Sequence, residues 1–182
     1  MGQVKKQELY IEKLGENLAV FAINRDDLKE LISTIPDNSD LNITTIEYEL
    51  QILKIISVGW AISFYMPYSD INKKPLSKIF WTHISEISKN ISNITQVTSG
   101  TQIDYFQILK KRLDKYVEVL QKNSGNNTGT SSIIGAVFAE ICKFDNNAMV
   151  VLIGTKMFTL TIGAIKEYLG AVEIKVNKER NQ

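Results

Sequence analysis

The stretch Lys54-Ile55-Ile56-Ser57-Val58-Gly59-Trp60-Ala61-Ile62-Ser63-Phe64-Tyr65-Met66-Pro67-Tyr68 decides how this chain folds. It is uncharged after Lys54 and apolar at consecutive positions, not on one stripe. A helix that is apolar all round is buried on every side. A second such run, Ala148 to Ile165, carries Lys156 as its sole charge. The two runs predict an all-α bundle of about six helices around two apolar central ones. A single domain spanning 1–182 is the simplest organisation for a chain of 182 residues.

The remaining helices follow from spacing and stop signals. Leu14, Leu18, Phe21 and Ala22 recur at helical intervals. Asn24 can cap a short helix beginning at Arg25, and Pro36 ends it. Thr44 with Glu47 matches a capping box before the first central helix, which Pro67 stops. Pro75 suits the first position of the next helix, in which Phe80, Ile84, Ile87, Ile91 and Ile94 form an a/d seam up to Gly100. Thr101 with Asp104 signals another start. Ile103, Phe106, Leu109, Leu113, Tyr116, Val117 and Leu120 then trace an amphipathic face. A flexible loop is expected near 123–132, followed by an apolar helix from Ile133 to about Lys143. Asp145-Asn146-Asn147 can cap the second central helix, and Gly170 closes it. The tail alternates Val172, Ile174 and Val176 with polar residues. That pattern fits a short C-terminal strand that could pair with a second subunit, although a frayed tail is the preferred reading.

Composition narrows the function classes. The net charge of +1 gives no electrostatic footprint for nucleic acid. Cys142 is single, so no intramolecular disulfide forms, and its apolar setting predicts an inert buried thiol. Met1 to Glu8 lacks the apolar segment of a signal peptide, so a cytoplasmic protein is expected. Membrane insertion is not expected either. A span needs roughly 20 apolar residues, and a central lysine such as Lys156 costs about 2.5–3.5 kcal/mol on insertion scales.

No catalytic, cofactor or metal motif stands out. His83 and Cys142 cannot complete a zinc site. His83 with Met66 could in principle ligate haem, but a structural histidine is the better reading. Glu140 and Lys156, the isolated charges of adjacent apolar helices, could form a buried ion pair in which a desolvated lysine acts as nucleophile or base. The competing reading, which is preferred, has Lys156 reaching the surface with Glu140 at the rim. Trp60, Phe64, Tyr65, Phe80, Trp81 and His83 gather in sequence around one helix connection and could line an apolar ligand pocket, although aromatics of this kind more often belong to the core, which is the preferred reading.

These features order the functional readings. The first is a non-enzymatic helical interaction protein, a homo-oligomer or a subunit of a larger assembly, with no cofactor. The second is a helical sensor or carrier that binds an apolar small molecule in the aromatic cluster. An enzyme built on Lys156 and Glu140 has the weakest support, because the partners such chemistry needs are missing.

Overall fold

In a computed structural model, residues 6–37, 39–123 and 129–175 are described. The element order is β1 (Gln7–Tyr10), α1 (Ile11–Ile23), α2 (Asp26–Ile32), α3 (Ile43–Tyr65), α4 (Lys73–Ser99), α5 (Tyr105–Lys122), α6 (Thr130–Ile141), α7 (Ala148–Ala171) and β2 (Val172–Lys175). The fold is an all-α bundle with one small two-stranded sheet.

Helix α3 is the centre of the bundle, as its all-round apolarity requires. Its first part, through Ile46, Leu50, Leu53 and Ile56, enters a core shared with Leu28 and Leu31 of α2, Tyr116 of α5, Phe138 of α6 and Met157 of α7. Its second part, through Val58, Ala61 and Ile62, enters another core with Leu14 and Leu18 of α1 and Phe80 and Ile84 of α4. The second apolar run, α7, packs between α3 and α6 and leaves Leu152 and Leu160 about half exposed. By length and composition α7 is the one helix among the described residues that could cross a membrane.

The helix termini refine the sequence reading. Asn42, not Thr44, caps α3, with its side chain accepting from Thr45 N at 3.0 Å. An asparagine carbonyl makes this cap as well as a hydroxyl, so two adjacent candidates compete in the sequence. Helix α4 starts at Lys73, which puts Pro75 third in the helix, still within the turn whose N–H groups have no intrahelical partner. Asp104, not Thr101, caps α5 by accepting from Gln107 N at 3.0 Å. Asn147 caps α7, accepting from Met149 N and Val150 N. Gly100 closes α4 at φ 69°, in the left-handed region that only glycine enters without cost.

The connection expected near 123–132 is shorter than the sequence suggests: α6 already contains Thr130, Ser131 and Ser132. Residues 124–128 of that stretch lie outside the described residues. The C-terminal strand forms over Val172–Lys175, and Val176 lies outside the described residues. Its partner is not a second subunit but β1, in parallel register from Gln7↔Val172 to Tyr10↔Lys175, with an ion pair between Lys175 and Glu8. The chain enters α1 directly from β1 and leaves α7 directly into β2, so the two-stranded sheet ties the first helix to the last.

Candidate functional site

The apolar seam of α4 leaves the core step by step. Phe80 is 0% exposed and Ile84 1%, whereas Ile91 is 44%, Ile94 62% and Val97 86% exposed. The first half of α4 lies on α1 and α3. Beyond Ser88, no residue of α4 is buried. Its second half is steadied by α5 through polar contacts instead: Tyr105 N donates to Ser92 Oγ at 3.3 Å, and the Thr95 and Tyr105 hydroxyls lie 3.5 Å apart. Ile91 and Ile94 therefore continue the seam onto a stretch of helix that is supported but only partly covered.

A cleft of about 350 Å³ opens where α4 parts from α3, closed on its third side by α5. Ile52 and Ile55 of α3, Ile91 of α4 and Leu109 of α5 supply its apolar wall. Tyr48, Ser88 and Tyr105 add hydroxyl-bearing positions. At one end Arg25 is paired with Glu47, so the mouth carries no unbalanced charge. Gln51 also lines the cleft. Its Nε2 donates to Ala22 O at 2.6 Å, and its Oε1 is buried with no hydrogen-bond partner. Rotating the amide would set oxygen against the Ala22 carbonyl, so this hydrogen bond fixes which atom is left unpaired.

The aromatic residues singled out from the sequence do not converge on one pocket. Trp60 stacks edge-on against Tyr116 at 6.2 Å and Phe158 at 6.0 Å, in the first core. Phe80 is fully buried in the second core, and Trp81 meets it at 5.0 Å while pressing on Gly59. Neighbouring residues on a helix point about 100° apart, so Gly59 and Trp60 face different cores. Phe64 is exposed, and Tyr65 is partly exposed with Lys166 Nζ 5.6 Å from its ring centre. His83 has an accessible side chain whose Nδ1 lies 3.9 Å from Glu86 Oε2. No group of three or more His, Cys, Asp or Glu side chains among the described residues could hold a metal ion.

Glu140 and Lys156 do not form a buried pair, in keeping with the preferred reading that both reach the surface. Both residues are exposed, and Glu140 accepts from Lys115 of α5 at 2.7 Å. Helices α6 and α7 approach too closely for long side chains at their crossing: a Cβ on Gly135 would lie 2.1 Å from Thr155 Oγ1 and 2.5 Å from Val151 O. Glu140 and Lys156 sit on the outer flanks instead.

The buried charges are elsewhere. Lys54 is 1% exposed; its Nζ donates to Asp27 Oδ1 at 2.7 Å and to Asn24 O at 2.8 Å, and lies 4.5 Å from the Phe21 ring centre. Glu49 is 5% exposed and held by Arg112. Donating to the Glu49 carboxylate raises the Arg112 pKa. Burial, reinforced by the Glu49 charge, pushes Tyr48 and Cys142 up to about 12 and Tyr116 well above its ordinary value. These groups stay protonated near neutral pH. In the sequence, Lys54 stood at the edge of an apolar run and Glu49 inside a mixed stripe. Neither position signalled burial. Compared with known protein families, with curated proteins and with solved structures, the chain matches none.

Proposed function

We propose that this chain is a non-enzymatic, cytoplasmic interaction protein that associates through the exposed seam of α4, with a second copy of itself as the first partner. The observation that carries this reading is the graded emergence of one apolar stripe, from buried Phe80 to 62% exposed Ile94, along a single helix. Scattered apolar residues on a surface need no explanation, but a contiguous row that continues a core seam fits an interface. Pairing two such seams would bury Ile91 and Ile94 in the a/d manner that their spacing follows.

A protein partner suits the chain better than nucleic acid or a lipid bilayer. The net charge is +1, and the exposed side of α7 carries Lys156. A cytoplasmic location accords with a lone, buried Cys142. Sedimentation velocity over a concentration series tests the proposal. Wild type is expected to show a concentration-dependent dimer, and Ile94→Asp to remain monomeric with an unchanged circular-dichroism spectrum. A wild-type protein that stays strictly monomeric at high concentration overturns self-association.

A further inference from the structure

The connection between α3 and α4 sets bare apolar side chains beside unpaired lysines. Of the thirteen large apolar side chains exposed among the described residues, four fall within positions 64–71: Phe64, Tyr65, Tyr68 at 93% and Ile71 at 84%. Single apolar residues on a surface are ordinary, but four on one connection form a group. The first turns of α4 follow at once with Lys73, Lys74 and Lys78. Lys73 is engaged, since its Nζ donates to Ser63 O at 2.6 Å and to Met66 O at 2.9 Å. Lys74 and Lys78 lie one turn apart on the same helix face. Neither has an acid within ion-pair distance among the described residues. With Tyr68, Ser63 and Ser77 the three lysines line a hollow of about 370 Å³ that contains no carboxylate.

We infer that this connection docks the chain on the surface of an anionic lipid bilayer, with Tyr68 and Ile71 entering the headgroup layer and Lys74 and Lys78 meeting its negative charge. The overall charge of +1 speaks against a lipid partner for the molecule as a whole, but it conceals an uneven distribution. Residues 63–78 hold three lysines against the single acid Asp70, an excess of +2, so the rest of the chain is −1. The wider hollow on the other side of the connection is lined by Lys6 and Lys166 as well as Asp70 and Glu173, so it does not cancel that excess. An anionic bilayer offers both complements at once: charge for lysines near its surface and an apolar boundary for amphipathic rings and aliphatic groups. A free anion or an acidic protein segment matches the lysines and leaves Tyr68 and Ile71 in water. A nucleic acid needs a longer basic track than this connection provides. The contact is peripheral and leaves α7 packed against α3 and α6. Lys74 and Ile94 are 20 residues apart on α4, about 30 Å along the helix, so this surface adds to association through the α4 seam and does not compete with it.

Co-sedimentation of the full chain with vesicles at about 0.1 M salt tests the assignment. Wild type is expected to pellet with phosphatidylcholine vesicles containing about one third phosphatidylserine, and to stay in the supernatant with phosphatidylcholine alone. Lys74→Glu combined with Lys78→Glu is expected to weaken binding about tenfold or more. Tyr68→Ser combined with Ile71→Ser is expected to weaken it to a similar degree. All four side chains are exposed, so both variants should keep the circular-dichroism spectrum of wild type. Ile94→Asp is expected to pellet with the same vesicles, which tells failure of self-association apart from failure of this contact. Wild type that ignores the phosphatidylserine vesicles, or that binds both kinds equally, overturns the proposal. Binding that survives in both double variants overturns it as well, and loss in the lysine variant alone overturns the entry of Tyr68 and Ile71. Retention of a single-stranded oligonucleotide by wild type and not by the lysine variant, without vesicle binding, would give the patch to nucleic acid instead.

Discussion

Arg112 grips Glu49 through two hydrogen bonds, Nε to Oε2 at 2.8 Å and Nη2 to Oε1 at 2.6 Å. This fork joins α5 to α3 across 63 residues of sequence. Removing one partner strands the other charge in the core, which typically costs about 3–5 kcal/mol, whereas replacing both with apolar residues is often close to neutral. Arg112→Met is therefore expected to lower the urea midpoint sharply, and Glu49→Leu combined with Arg112→Met to recover most of the loss. A double variant as unstable as the single one would show that the pair contributes more than compensation for its own burial.

The emergence of the α4 seam makes a graded prediction for stability. Ile84 is 1% exposed and Ile94 62%. Ile84→Ala should cost about 2–5 kcal/mol through lost burial and a cavity. Ile94→Ala should stay within about 0.5 kcal/mol in dilute, monomeric protein. Chemical denaturation at low concentration checks both. A large loss at Ile94 under those conditions would place that residue in the monomer's own core.

Most of the helical architecture was legible because apolar spacing and stop residues act locally. The Ile55–Tyr68 run, Gly100 and the Phe80–Ile94 seam each report on their own helix. Partner choice was not legible. The seam reads as one continuous stripe in sequence, yet α1 and α3 cover only its first half. Strand β1 escaped notice because Gln7–Tyr10 is too short to show alternation, and it owes its pairing to β2 at the far end of the chain. The cleft draws on α3, α4 and α5 together, so no single motif could announce it. How the aromatic residues divide between the two cores was not legible for a related reason: closeness in sequence says nothing about which helix face a ring occupies.

Two glycines in the α6–α7 pair should respond oppositely to alanine. Gly135 sits where an added Cβ would strike the Val151 carbonyl at 2.5 Å. Gly135→Ala must push the helices apart, and overpacking of this kind costs roughly 1–3 kcal/mol. Gly163 in α7 has nothing within 4 Å of the same position. Gly163→Ala should stabilise by about 0.5–1 kcal/mol, since alanine restricts the unfolded chain and favours the helix. Thermal melts of the two variants should move in opposite directions. A shared direction would mean that the close approach at Gly135 relaxes at little cost.

The buried thiol sets an alkaline limit on stability. Desolvation, with the Glu49 carboxylate adding to it, raises Cys142 from an ordinary 9.0 to about 12. The folded state thus holds its proton through a pH range in which the unfolded chain releases it. Stability falls with pH wherever the folded state binds more protons than the unfolded one. The contribution is intact below about pH 9 and is lost progressively as the pH rises toward about 12. Tyr48, also raised to about 12, and Tyr116 act in the same direction from their ordinary 10.0. Wild type should therefore lose thermal stability steadily above about pH 9, and Cys142→Ala should show a shallower loss over the first part of that range. The same burial predicts that Ellman's reagent labels Cys142 slowly in the native protein and rapidly in urea. Identical pH slopes for wild type and Cys142→Ala would assign the alkaline loss to the tyrosines alone.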